Sequence, residues 1–148
     1  MKVSEAGPTP SEPEKEQEQE KGFSMYNNNL AYNTYIQNDI VVESPAKLVQ
    51  MMYEGILRFN MQAKRCIETG DIEKRTYWIN RSSAVINELI HILDYSHGDV
   101  AYYLAGLYNY QLQLLMEAAL YKDTAKIDEV NNVMKGLLEA WKESTNVG

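Results

Sequence analysis

A single cysteine, Cys66, stands in the whole chain, so no internal disulfide forms and a reducing compartment suits it. No uncharged apolar run approaches the roughly 20 residues that a membrane-spanning helix needs. The N-terminus lacks the basic start and apolar stretch of a secretory signal. A cytoplasmic protein without membrane insertion is therefore expected. Positive charge is also short, with 14 Lys and Arg against 21 Asp and Glu and a net charge of −7. Nucleic-acid binders gain most of their affinity from clustered cations, whereas Lys64-Arg65 and Lys74-Arg75 are pairs and not patches. A nucleic-acid partner is excluded on this ground. A Gly-rich phosphate loop, a paired-Cys zinc signature and a nucleophile elbow are all missing.

What is present fits one globular domain. The 148 residues are 45% hydrophobic and 24% charged, enough to build a core. Residues 1–24 stand apart, holding three of the four prolines and six Glu against three Lys. Such a stretch buries too little to offset the entropy of ordering it, so it reads as an acidic disordered tail. It is either native or an artefact of the start site, with the natural start at Met25. Residues 25–43 are rich in Asn and Tyr and carry no helical start signal.

From Ser44 the chain is helical in pattern. Ser44-Pro45 reads as an N-cap followed by proline at the first helical position. Apolar residues then recur at Leu48, Met52, Ile56, Phe59, Ala63 and Cys66, one face of a helix that Gly70 ends. Asp71 caps a second helix with an inward stripe of Ile72, Thr76, Ile79, Ser83, Ile86, Ile90 and Leu93. The turn His97-Gly98-Asp99 stops it and caps a third, with Val100, Leu104, Leu107, Gln111, Leu114 and Ala118 inward. Asp123-Thr124 starts a fourth, with Ile127, Val130, Met134, Leu137 and Trp141 inward. Stripes close to a 3.5-residue repeat, joined by short loops, predict an all-α, antiparallel up-down four-helix bundle over residues 44–143. An extended or short helical segment, residues 25–43, is expected to pack on it, and residues 144–148 form a C-terminal tail.

The third helix has more apolar surface than a core needs. No charge occurs from Ala101 to Met116, and Tyr102, Tyr103, Tyr108, Tyr110, Leu112 and Leu115 add to the inward stripe. Either this helix is the most central one, or an apolar groove beside it receives a partner. Val49, Met51, Tyr53 and Leu57, off the stripe of the first helix, favour the groove, and tyrosine and methionine suit varied partners. An open groove invites aggregation, so the segment from Leu30 to Ile36 is expected to cover it.

Catalysis finds little support. Glu88-Leu89-Ile90-His91 is an ExxH on one helical face, but di-iron bundles need two such motifs and further glutamates. A solvated or interfacial histidine is the expected role. Cys66 falls on an inward stripe without a nearby histidine, as a buried small hydrophobe does. Trp141 is expected at the core or its edge, and Trp78 partly exposed.

Read together, the residues resemble FliS, the family of flagellar export chaperones for flagellin. The resemblance is carried by Ala31-Tyr32, Asn38, Ile40, Ser44-Pro45, Leu48 and Met52-Tyr53-Glu54-Gly55. It continues through Gly70-Asp71, Leu93-Asp94, Gly98, Ala101, Leu104, Leu107-Tyr108, Tyr110, Glu117-Ala118 and Glu139-Ala140-Trp141. The chain departs from the family pattern at Val42-Glu43, where Thr-Ala is usual, and at His97-Gly98, where a double Gly is usual. The resemblance implies a cytoplasmic, non-enzymatic chaperone without cofactor that binds the C-terminal segment of flagellin and delivers it to the flagellar type III export gate. Its further expected partner is a co-chaperone or regulator. The resemblance also points to partner-binding residues: Tyr32 in the cover, Leu48, Met52, Tyr53 and Ile56 on the first helix, and Leu104, Tyr108, Leu112 and Leu115 on the third. Alternatives are a general helical adaptor for another amphipathic peptide, and an enzyme with a metal or thiol site.

Overall fold

A computed structural model of the chain describes residues 44–145, and within them the fold is an all-α four-helix bundle. The acidic tail, the cover segment with Tyr32, and residues 146–148 lie outside the described residues. Helix α1 spans Pro45–Thr69, α2 Ile72–His91, α3 Asp99–Tyr121 and α4 Thr124–Thr145, with one short 3-10 turn, Tyr95–His97, before α3. Helix α4 thus runs two residues past the boundary expected at 143.

Local chemistry sets the ends of these helices. Ser44 caps α1 by accepting the Lys47 amide on its Oγ at 3.1 Å, with Pro45 in the first turn. At the other end Gly70 takes a left-handed φ of 79°, and the Gly70 and Asp71 amides donate to Ile67 and Cys66 carbonyls. Asp71 at once caps α2, accepting the Lys74 amide at 3.1 Å. Two residues therefore end one helix and begin the next, which forces an antiparallel hairpin. Gly98 has φ 93° and ψ −157°, a conformation reserved for glycine, and places α3 directly after the 3-10 turn. Lys122 takes the left-handed conformation at the end of α3, and Asp123 Oδ1 accepts the Ala125 amide to start α4.

Helix α1 packs against α2 and α4, and α3 packs against the same two helices, so α1 and α3 face each other across the diagonal of the bundle. The α1–α4 seam fixes an antiparallel register at three heights. Trp141 Nε1–H donates to the Ala46 carbonyl at 2.9 Å, Asn60 Nδ2 donates to Asn131 Oδ1 at 2.8 Å, and Lys64 pairs with Asp128 at 2.8 Å. Across the diagonal, the buried hydroxyls of Tyr53 and Tyr108 lie 2.6 Å apart.

On α1 and α4 most of each expected stripe is inward, with Leu48, Met52, Ile56, Ala63, Ile127, Val130, Met134 and Trp141 buried, but Phe59 and Leu137 are half-buried, and Val49, Tyr53 and Asn60, off the α1 stripe, are buried too. Two faces are turned. On α2 the buried set is Ile79, Ser82, Ile86 and Leu89, while Ile72 and Thr76 are exposed. Those two residues occupy the first turn, at the end of the bundle. On α3 Ala101 and Tyr108 turn inward and Val100 is exposed. Cys66 is half-buried, not buried, because it sits in the last turn of α1.

Candidate functional site

The four helices bury their shared faces fully, so the question is which outer surface remains unusual. Helix α3 answers it. Its buried residues, Ala101, Leu104, Tyr108, Gln111, Leu114, Leu115 and Ala118, cover only the side turned toward the bundle. The helix is not central: its opposite side faces solvent and carries no charge from Ala101 to Met116, with exposed tyrosines beside Asn109 and Gln113. Tyr102 and Tyr103 are 63% and 69% exposed, and Tyr110 is 49% exposed. Met116, Leu120 and Tyr121 continue the exposed surface toward the C-terminus. Because Tyr103, Gly106, Tyr110 and Gln113 recur at helical three- and four-residue steps, they line one outer face.

Two further features shape this face. Tyr95, in the 3-10 turn, brings its ring to 4.8 Å from that of Tyr102, extending the aromatic surface around the N-terminal end of α3. Gly106 lies between the tyrosines, and a Cβ built there meets nothing within 4 Å. Glycine in a helix interior costs about 1 kcal/mol relative to alanine, and nothing in the bundle requires it here. The charge-free face ends at Glu117, which accepts from Gln113 at 3.0 Å and pairs with Lys126 of α4 at 3.3 Å. The Gln113 hydrogen bond, then the Lys126 ammonium, hold the Glu117 carboxyl below the ordinary carboxylate range.

The residues singled out by resemblance fall elsewhere. Leu48, Met52, Tyr53 and Ile56 on α1, and Leu104, Tyr108 and Leu115 on α3, are all buried in the core. Leu112 is half-buried and packs against that core. The structure brings Tyr53 and Tyr108 together through their hydroxyls, but inside the bundle. Of the off-stripe residues of α1, Val49 is also buried, and Met51 and Leu57 pack partly buried against the core. The exposed tyrosines that do form a surface, Tyr102, Tyr103 and Tyr110, are among the side chains that give the third helix more apolar surface than a core needs.

No group of three or more metal-ligating side chains gathers among the described residues. His91 is exposed in the last turn of α2, and Glu88 is half-buried. None of the described helices is long and apolar enough to cross a membrane.

Comparison with known proteins gives this surface a context. The family model described as flagellar protein FliS matches residues 26–147, most of the chain. The chain belongs to the FliS family. A flagellar secretion chaperone of this family from Campylobacter jejuni is 54% identical over 120 residues, covering 80% of this chain and 94% of that protein. The flagellar secretion chaperone of Bacillus subtilis is 27% identical over 113 residues, covering 76% of this chain and 84% of that protein. That of Salmonella typhimurium is 28% identical over 110 residues, covering 73% and 82%. The family is one of export chaperones and not of enzymes, so the exposed apolar face belongs to a protein whose work is to hold a client in flagellar export.

Proposed function

We propose that this chain binds the C-terminal segment of flagellin in the cytoplasm, keeps it from polymerising, and delivers it to the flagellar type III export apparatus. The observation that carries the reading is the outer face of α3, charge-free from Ala101 to Met116 and lined by exposed Tyr102, Tyr103 and Tyr110. A client segment that is unfolded alone has to recover its ordering cost from a large apolar contact. An amphipathic helix laid along an apolar groove supplies such a contact, with anchors every third or fourth residue. Tyrosine fits the task, giving apolar area with a polar tip at modest entropy cost. Family membership supports a client in flagellar export, and the resemblance of the sequence to flagellin chaperones names the client. Its partners in delivery are the export gate and a co-chaperone or regulator.

The buried residues enter this proposal at a second level. Leu112, half-buried at the edge of α3, touches a client directly. Leu48, Met52, Tyr53, Ile56, Leu104, Tyr108 and Leu115 reach one only if part of what buries them moves aside. Tyr32 belongs to the displaceable cover in this reading. A cover lowers apparent affinity by the fraction of time the surface is open, which eases release at the gate. No nucleotide is required.

Titration of a flagellin C-terminal peptide into the protein and into Tyr103→Ser/Tyr110→Ser tests the reading. Both side chains are exposed, so the variant keeps the unfolding midpoint of the parent while losing at least tenfold in affinity. Unchanged affinity, or equal binding to flagellin trimmed of its C-terminus, counts against it.

A further inference from the structure

The α1–α2 ridge carries a second, chemically different cluster, remote from the outer face of α3. Phe59 of α1 stacks on Trp78 of α2, with ring centroids 5.7 Å apart, and Tyr77 meets Trp78 edge-on at 4.9 Å. The Arg81 guanidinium lies 4.6 Å from the centre of the Phe59 ring, and also 5.6 Å from Tyr77 and 5.8 Å from Trp78. Its Nη1 donates to the Tyr77 hydroxyl at 2.7 Å. Arg58 places a second guanidinium 5.8 Å from the Phe59 ring centre. Both arginines are exposed, as is Tyr77.

Two facts make this more than a surface ornament. In a chain of net charge −7 neither guanidinium has a carboxylate partner among the described residues, whose ion pairs join Lys64 to Asp128 and Lys126 to Glu117. And Arg81 is already ordered by three rings and a hydroxyl, so much of the entropy usually lost on binding an arginine is lost before a partner arrives. With Nη1 on the Tyr77 hydroxyl, the Arg81 guanidinium still has Nε–H and Nη2–H along one edge, the pair that meets a carboxylate in two parallel hydrogen bonds. Arg, Trp and Tyr are also the residue types that dominate binding hot spots.

We infer that the Arg58, Phe59, Tyr77, Trp78 and Arg81 ridge is a docking site for an acidic, amphipathic segment of a partner protein, used independently of the α3 face. Charge complementarity selects this occupant. A polyphosphate backbone requires clustered cations, and this ridge offers two. An anionic lipid surface gains only about 1 kcal/mol per basic residue, too little from two arginines.

The test uses the full chain labelled with ¹⁵N and a synthetic helical peptide carrying Glu and Leu at three- and four-residue spacing. Of the two tryptophan indole N–H signals, that of Trp78 shifts on titration and that of buried Trp141 stays in place. Arg58→Gln/Arg81→Gln weakens binding at least tenfold without lowering the unfolding midpoint, and Arg81→Lys weakens it several-fold because the planar fork is lost. A flagellin C-terminal peptide bound at saturation leaves the titration unchanged. The inference is overturned if a peptide with Lys in place of each Glu binds equally, if the double variant binds like the parent, or if flagellin peptide competes. It is also overturned if only phosphatidylglycerol vesicles or an oligonucleotide shift the Trp78 signal. Binding that emerges only after the six glutamates of residues 1–24 are changed to Gln assigns the ridge to the chain's own tail and likewise overturns it.

Discussion

Gly106→Ala separates what the bundle needs from what a client needs. Alanine is favoured over glycine in a helix interior by about 0.8–1.0 kcal/mol, through backbone entropy lost from the unfolded chain. Nothing offsets that gain here, since the new Cβ meets no atom within 4 Å. A gain of about 1 kcal/mol raises the melting temperature of a domain near this size by roughly 4–8 °C. Gly136 of α4 is an internal control, because a Cβ there also meets nothing within 4 Å. Both variants are expected to stabilise alike in thermal and denaturant unfolding. They part in client binding: small residues let two helix backbones approach closely, so Gly106→Ala weakens a flagellin peptide several-fold and Gly136→Ala does not. If Gly106→Ala fails to stabilise, the open site on α3 is misjudged. If the two variants bind the peptide identically, close approach at Gly106 is refuted even though the stability half holds.

Other expectations follow from the core. Tyr108→Phe removes one partner of the buried Tyr53 hydroxyl and is expected to cost about 1 kcal/mol in urea unfolding. Tyr108→Ala is expected to cost about 3–5 kcal/mol, with stability falling before any effect on affinity is measurable. Asn60→Ala strips the buried Asn131 Oδ1 of its donor and is expected to cost about 1–3 kcal/mol, read in the same assay. The Glu117–Lys126 pair gives a pH signature. The carboxyl is held below its ordinary value of 4.5, so its contribution is present above that value and fades as pH falls through the lowered one. The Glu117 carboxylate hydrogen bond holds the Lys126 ammonium above its ordinary 10.5, so that contribution is present below 10.5 and fades as pH rises through the raised value. The difference in stability between the parent and Glu117→Gln should accordingly vanish in acid.

Most helix ends were legible because they are local, but α2 ends at His91 and not at the expected His97-Gly98-Asp99 turn, and the 3-10 turn Tyr95–His97 intervenes before α3. Ser44-Pro45, Gly70-Asp71 and Asp123 each act on neighbours within a few residues, and each ends or starts a helix where its chemistry demands. The rotation of a helix is a tertiary property and was read less well. On α2 the adjacent Leu89 and Ile90 give two apolar choices, and packing selects Leu89. On α3 apolar residues surround the helix, so periodicity alone does not say that Ala101 and Tyr108 face inward while Val100, Tyr103 and Tyr110 face out. The candidate surface was therefore visible as a missing charge but not as a direction. Resemblance pointed to Tyr53 and Tyr108, whose hydroxyls meet inside the bundle. The Arg81 cluster was illegible for another reason: Phe59 and Trp78 meet only once the α1–α2 hairpin closes.

Site-specific photo-crosslinking with a flagellin C-terminal peptide decides whether the outer face of α3 holds the client. A benzophenone side chain is placed at Tyr103, at Tyr110, or on α4 at Gly136, each exposed. Strong crosslinks are expected from Tyr103 and Tyr110 and none from Gly136. Crosslinks equal at all three positions, or confined to Gly136, would contradict this expectation.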